Sequence, residues 1–82
     1  MPLFLDRHYV EGATRHTVAI AHEKDMVVQE KYGVNYLKYW YNENDGRVFC
    51  LVEAPDKETA IKVHKEAHGL LADEIFEVKE GH

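Results

Sequence analysis

A single cysteine, two prolines and a shortage of basic side chains set the first limits on this 82-residue chain. One cysteine forms no intrachain disulfide, so Cys50 is expected to be a free thiol, a role usually filled by a small buried hydrophobe. Lys and Arg number 10 against 15 Asp and Glu, a net charge of −5, so the chain lacks the basic face that nucleic-acid phosphates demand. No apolar run approaches the roughly 18 residues of a membrane span. The opening Met1-Pro2-Leu3-Phe4-Leu5-Asp6 has no basic stretch followed by an apolar core, so export is not expected and a cytoplasmic location is. Nucleotide-cradling glycine loops, serine-centred elbows and CxxC pairs are also missing, which removes several enzyme classes. Linkers, internal repeats and low-complexity stretches are absent.

What is present is a globular composition, 45% hydrophobic and 30% charged, with six histidines as its one excess. A chain of this length forms one domain, residues 1–82, and buries roughly 60 to 65% of its unfolded surface. Its stability margin is therefore thin, or shared with a partner.

Period-two alternation of Leu3 and Leu5 against Phe4, Asp6 and His8 predicts a strand from Leu3 to Val10, broken by Glu11-Gly12-Ala13. No Pro or Gly interrupts Thr14 to Tyr32, and Gly33 stands where a helix commonly ends, so a helix capped by Thr14 follows. Its apolar stripe of Val18, Ala21, Val28 and Tyr32 has His22 and Asp25 interleaved in it. Asn35 to Tyr41 alternates as a second strand. Asn42-Glu43-Asn44-Asp45-Gly46 reads as a hairpin loop, because Asn, Asp and Gly tolerate the positive φ of a tight reversal. The returning arm, Val48 to Ala54, is rich in β-branched and aromatic residues and is stopped by Pro55. Asp56 then caps a second helix to about His68, with Glu58 in its first turn and Gly69 at its end; Glu74 to Lys79 closes the chain as a strand.

The order β-α-β-β-α-β predicts an α+β ferredoxin-like fold, a four-stranded antiparallel sheet with two helices on one face. The first and third strands are expected side by side at the sheet centre, and parallel. Alternation assigns Leu3, Leu5, Leu37, Tyr39, Phe49, Leu51, Phe76 and Val78 to the helix-covered face. It leaves Phe4, Asp6, His8, Tyr36, Lys38, Trp40, Val48, Cys50, Val52, Ile75 and Glu77 on the open one. That open face is too apolar for a lone monomer, so a homodimer through it is expected.

Asp6 and His8, two apart on one strand, project to the same side, and Cys50 projects there from the neighbouring strand. A carboxylate, an imidazole and a thiol can form a first coordination shell for nickel, zinc or copper; they can equally be a satisfied histidine and a buried thiol at a dimer seam. His64 and His68, at i and i+4, share a helix face, as do His22 and Asp25 at i and i+3. With both helices starting near the C-terminal ends of the central strands, His8, His22, Glu53 and His64 are expected to approach one another there. His16 and His82 read as solvated. A second reading keeps the fold but makes the protein a cofactor-independent oxygenase or isomerase on a small organic molecule. In it Tyr39, Trp40 and Tyr41 line a cavity and His8 or His22 acts as general base. A third is an interaction dimer with no site.

The stretch Phe49-Cys50-Leu51-Val52-Glu53-Ala54-Pro55, the following helix with His64 and its glycine break, Asp6 and His8, and Ala21-His22-Glu23-Lys24-Asp25 together carry a family resemblance. The chain resembles, from Leu3 to Val78, a family of small single-domain proteins described as nickel-binding. The resemblance implies a ferredoxin-like fold, dimerisation and Ni²⁺ ligation by histidine-rich sites. Carried over residue by residue, it points to His8, His22, Cys50, Glu53 and His64 as ligands, with Asp6 completing or orienting the shell. His68 is not carried over, because Gly69 is followed by Leu70-Leu71 where the family pattern has Gly-His-Pro or Gly-Leu-Pro. The expected role is metal sequestration or handling rather than catalysis. Neutral imidazoles are needed for ligation, so affinity should collapse below roughly pH 6.

Overall fold

The computed structural model describes residues 1–81, so the reading of His82 as solvated falls outside the described residues. The elements follow in the order β1 (Leu3–Tyr9), α1 (Arg15–Tyr32), β2 (Asn35–Asn42), β3 (Arg47–Glu53), α2 (Lys57–Ala67) and β4 (Glu74–Val78). Local chemistry explains the boundaries. Thr14 and Thr17 form a reciprocal capping box at the start of α1, and Gly33 ends it in the left-handed region at φ 65°. Asp56 accepts the Thr59 amide at 2.8 Å to start α2. In the hairpin loop, Asn42 and Asp45 side chains accept the amides two residues on, at 2.9 and 3.0 Å. Gly46 has φ 76°, and a Cβ there would lie 2.8 Å from the Val10 carbonyl oxygen, so only glycine fits this reversal.

The strands form one sheet in the order β2-β3-β1-β4, with every neighbouring pair antiparallel. This is the ferredoxin-like α+β arrangement. The central pair is antiparallel, with Leu3 opposite Glu53 and Tyr9 opposite Arg47, not parallel as the sequence suggested. Each helical connection skips a strand, joining β1 to β2 across β3 and β3 to β4 across β1. The C-terminal ends of β1 and β3 therefore lie at opposite ends of the sheet.

The two faces are also exchanged relative to expectation. Phe4, Asp6, His8, Val48, Cys50 and Val52 are buried beneath the helices, whereas Leu3, Leu5, Phe49 and Leu51 are only half-buried on the open face. Apolar content alone does not separate the two alternating sets. What separates them is that Asp6 and His8 meet a buried polar partner on the helix side, His64 of α2. An irregularity between Tyr36 and Lys38 shifts the register of β2, bringing Tyr39 opposite Cys50 and Trp40 opposite Phe49. Tyr39 thus joins Tyr36 on the helix side, and Trp40 falls on the open face. The core consists of Phe4, Val18, Val34, Tyr36, Val48, Val52, Ala54, Ala60 and Val63 with Cys50 and Ala13.

Candidate metal centre

Among the described residues, four charged or polar side chains are buried in this small core: Asp6 is 1% exposed, Asp25 and His64 2%, and His8 4%. Such groups persist in a core only when paired, and here they form one continuous chain. Asp6 faces the helices from β1 and binds His8 at 3.0 Å through Oδ1 and His64 Nε2 at 2.9 Å through Oδ2. The other His64 nitrogen, Nδ1, is 2.8 Å from Asp25 Oδ1, and His68 Nε2 is 3.1 Å from Asp25 Oδ2. His68 Nδ1 accepts the Leu70 amide at 3.0 Å, so the His68 proton sits on Nε2 and is donated to Asp25. The result is an alternating run His8, Asp6, His64, Asp25, His68 from the sheet to the end of α2.

Both nitrogens of His64 face carboxylates, so both carry hydrogen and the ring is an imidazolium. Burial works against that charge, but the hydrogen bonds to Asp25 and Asp6 outweigh it and raise the His64 pKa to about 9. Burial likewise works against the Asp6 carboxylate, and its bonds to His64 and His8 nevertheless hold it at about 2; Asp25 is held below the usual carboxylate range by His64 and His68. Stacking fixes the rings: Tyr36 lies 4.5 Å from His64 and donates its hydroxyl to the Ala60 carbonyl at 3.0 Å. His8 meets His64 edge-on at 4.9 Å.

Asp6, His8, Cys50 and His64 each offer a ligand atom within 4.8 Å of the others, all four buried; Asp25, His64 and His68 form a second such group sharing His64. Burial, then the charges of Asp6 and Asp25, push the Cys50 thiol well up, so it stays protonated unless a metal draws off the proton. A cavity of about 70 Å³ adjoins this cluster, and its wall includes His22, which stacks on Tyr39 at 4.6 Å. Burial, ahead of the His64 charge, lowers the His22 pKa.

A family model described as nickel responsive protein SCO4226-like matches residues 4–78. The chain belongs to this family. Among solved structures it is similar to that of SCO4226 from Streptomyces coelicolor A3(2), at 33% identity and a TM-score of 0.90, with 98% of this chain and 99% of that chain covered. A comparison with curated proteins returned no match.

In this SCO4226-like chain the donor set fits a borderline divalent ion, since it combines two imidazoles, a carboxylate and a thiol. Its charge fits as well. Two carboxylates and one imidazolium give the cluster a net −1, and replacing the His64 and Cys50 protons by one divalent ion leaves that total unchanged.

Of the residues singled out in the sequence, Asp6, His8, Cys50 and His64 come together. His22 lines the adjoining cavity but belongs to neither donor group. Glu53 lies opposite Leu3, on the open face and at the far end of β3, away from the cluster, because β1 and β3 run antiparallel. Asp25 and His68 were not among the expected ligands, and both belong to the buried chain. The spacing of Val18, Ala21, Asp25, Val28 and Tyr32 placed Asp25 on the core side of α1, and a carboxylate there requires a cationic partner.

Proposed function

We propose that this protein binds a divalent transition metal through Asp6, His8, Cys50 and His64, nickel ahead of zinc or copper, for sequestration or handling. The observation that supports this reading is the convergence of four buried ligand atoms within 4.8 Å. The nickel-responsive character in the name of the family and the 33% identity to SCO4226 favour nickel. His8 and His64 would hold the ion, Cys50 would add a thiolate, and Asp6 would complete or orient the shell. The bound ion would supply a Lewis-acidic centre in place of two protons. His22 stands beside that shell as a cavity wall, and Glu53 has no part in it.

The cavity-enzyme alternative is weaker. Tyr39 and His22 do line a cavity, but at about 70 Å³ it is far below the several hundred Å³ of ordinary small-molecule sites. The same reading includes a single domain over residues 1–82, a cytoplasmic setting that keeps Cys50 reduced, and a homodimer through the open sheet face. That face carries Leu5, Phe49 and Leu51 beside Trp40 and Phe76, which are 50% and 51% exposed. Among the described residues no helix is long and apolar enough to cross a membrane.

The test is calorimetric titration of chelator-stripped protein with Ni²⁺, Zn²⁺ and Cu²⁺, comparing wild type with His8→Ala and His64→Ala. Saturable micromolar uptake that both substitutions abolish is the expected result. No saturable uptake, or uptake indifferent to both residues, overturns the reading.

A further inference from the structure

The cavity beside the donor cluster is more space than a closed metal site needs. Its wall includes His8, Cys50 and His64 together with Val18, Ala21 and Leu70. Structural metal sites are closed by protein ligands, whereas sites that exchange ligands keep an open position. Here the space abuts three of the four proposed donors. Asp6 and His64 are otherwise almost completely buried, so the cavity gives an approach to the cluster.

We infer that this cavity admits one small exogenous ligand to the metal, a neutral nitrogen or sulfur donor with a compact apolar body. The inference rests on the metal site proposed above. Size sets the first limit. One water-sized group needs roughly 10 to 15 Å³ of such space, so about 70 Å³ holds on the order of five, the size of imidazole and well short of an ordinary metabolite. Polarity sets the second: Thr17 and His22 also stand on the wall, but the surface exposed to the cavity is almost wholly apolar. Charge sets the third. With a divalent ion set against the charges of Asp6, Asp25 and the Cys50 thiolate, the buried cluster stays at net −1, which disfavours an added anion in a low-dielectric site. Geometry permits the extra ligand, because nickel and copper adopt tetragonal arrangements that accept donors beyond four.

The test uses chelator-stripped full-length protein loaded with one equivalent of Ni²⁺, with imidazole as probe, azide as its anionic contrast, and ligand-field absorption as readout. Metal retention is followed by ultrafiltration. Two variants narrow the cavity without touching a donor: Leu70→Trp at a position 42% exposed, and Ala21→Leu on the inner wall of α1. Wild type should show a saturable spectral change with imidazole while retaining its metal. Both variants should bind nickel as before but respond to imidazole at least ~10-fold more weakly, and azide should be the poorer ligand. An unchanged wild-type spectrum, loss of nickel to imidazole, or identical titrations in wild type and variants overturns the inference while leaving the metal site standing. Failure of wild type to take up nickel removes the metal reading and the inference together. Should Ala21→Leu fail to fold, Leu70→Trp decides alone.

Discussion

Replacing Asp25 by Asn tests whether the buried chain holds His64 as a cation. His64 lies 2.8 Å from Asp25 and 2.9 Å from Asp6, and its pKa is raised from 6.5 to about 9. A raised imidazole pKa contributes stability that is fully present below pH 6.5 and is lost as pH rises through 9. The difference, 9 minus 6.5, corresponds to on the order of 3 kcal/mol at 1.36 kcal/mol per unit. That is a large part of the roughly 4 to 12 kcal/mol expected of a domain this size. The Asp6 shift reports the same interaction from its other partner and is not added; its share is present above 3.8 and lost only as pH falls through about 2.

His22 acts in the opposite sense. Its pKa is lowered, so stability rises as pH approaches 6.5 from below. Cys50, raised by burial, adds a further loss only above its ordinary value of 9. Stability should therefore peak near pH 6.5 and decline toward 9. In Asp25→Asn the amide oxygen accepts from one imidazole while the NH₂ group opposes the other, and one carboxylate of the pair around His64 remains. The variant should lose about 3 kcal/mol near neutrality, and its total decline above pH 6.5 should be about half as large. Urea unfolding of metal-free protein at fixed protomer concentration, with the His64 ring followed by NMR, measures both. Wild-type stability that is flat between pH 6.5 and 9, with a ring pKa near 6.5, would refute the reasoning.

Nickel binding should release about two protons per ion, one from His64 and one from Cys50, read from the buffer dependence of the calorimetric enthalpy; Cys50→Ser should release about one. Gly46→Ala should cost about 1 to 3 kcal/mol in thermal or urea unfolding, because φ is 76° and the new Cβ would press on the Val10 carbonyl. Trp40→Lys combined with Phe76→Glu should convert a dimer to a monomer in light scattering while leaving nickel uptake intact, since neither residue lines the cavity. Wild type running as a monomer at micromolar concentration would remove the open-face dimer.

The elements were legible in the sequence because their boundaries are written in single residues. Thr14, Gly33 and Asp56 cap or end helices by local chemistry, and Asn42 to Gly46 encode their own reversal. Strand direction was not local. It depends on each connection skipping a strand, and the expected parallel centre carried Glu53 to the wrong end of the sheet. The faces were not legible from alternation either, since Leu5 and Phe49 are as apolar as Phe4 and Val48.

Asp6 and His8 nevertheless held the information that resolves the ambiguity. Putting them outward would leave the Nε2 donor of the buried His64, which faces the sheet from α2, without its Asp6 acceptor, at a cost of about 1 to 3 kcal/mol. Putting them inward gives His64 its second carboxylate and exposes only the flanks of Leu5, Phe49 and Leu51, a loss that burial against a second copy would recover. The polar residues therefore decide which apolar set forms the core. Asp25, set among Val18, Ala21, Val28 and Tyr32 on α1, was the sequence signal that this core holds charge, because a carboxylate there needs a cationic partner, which His64 of α2 supplies.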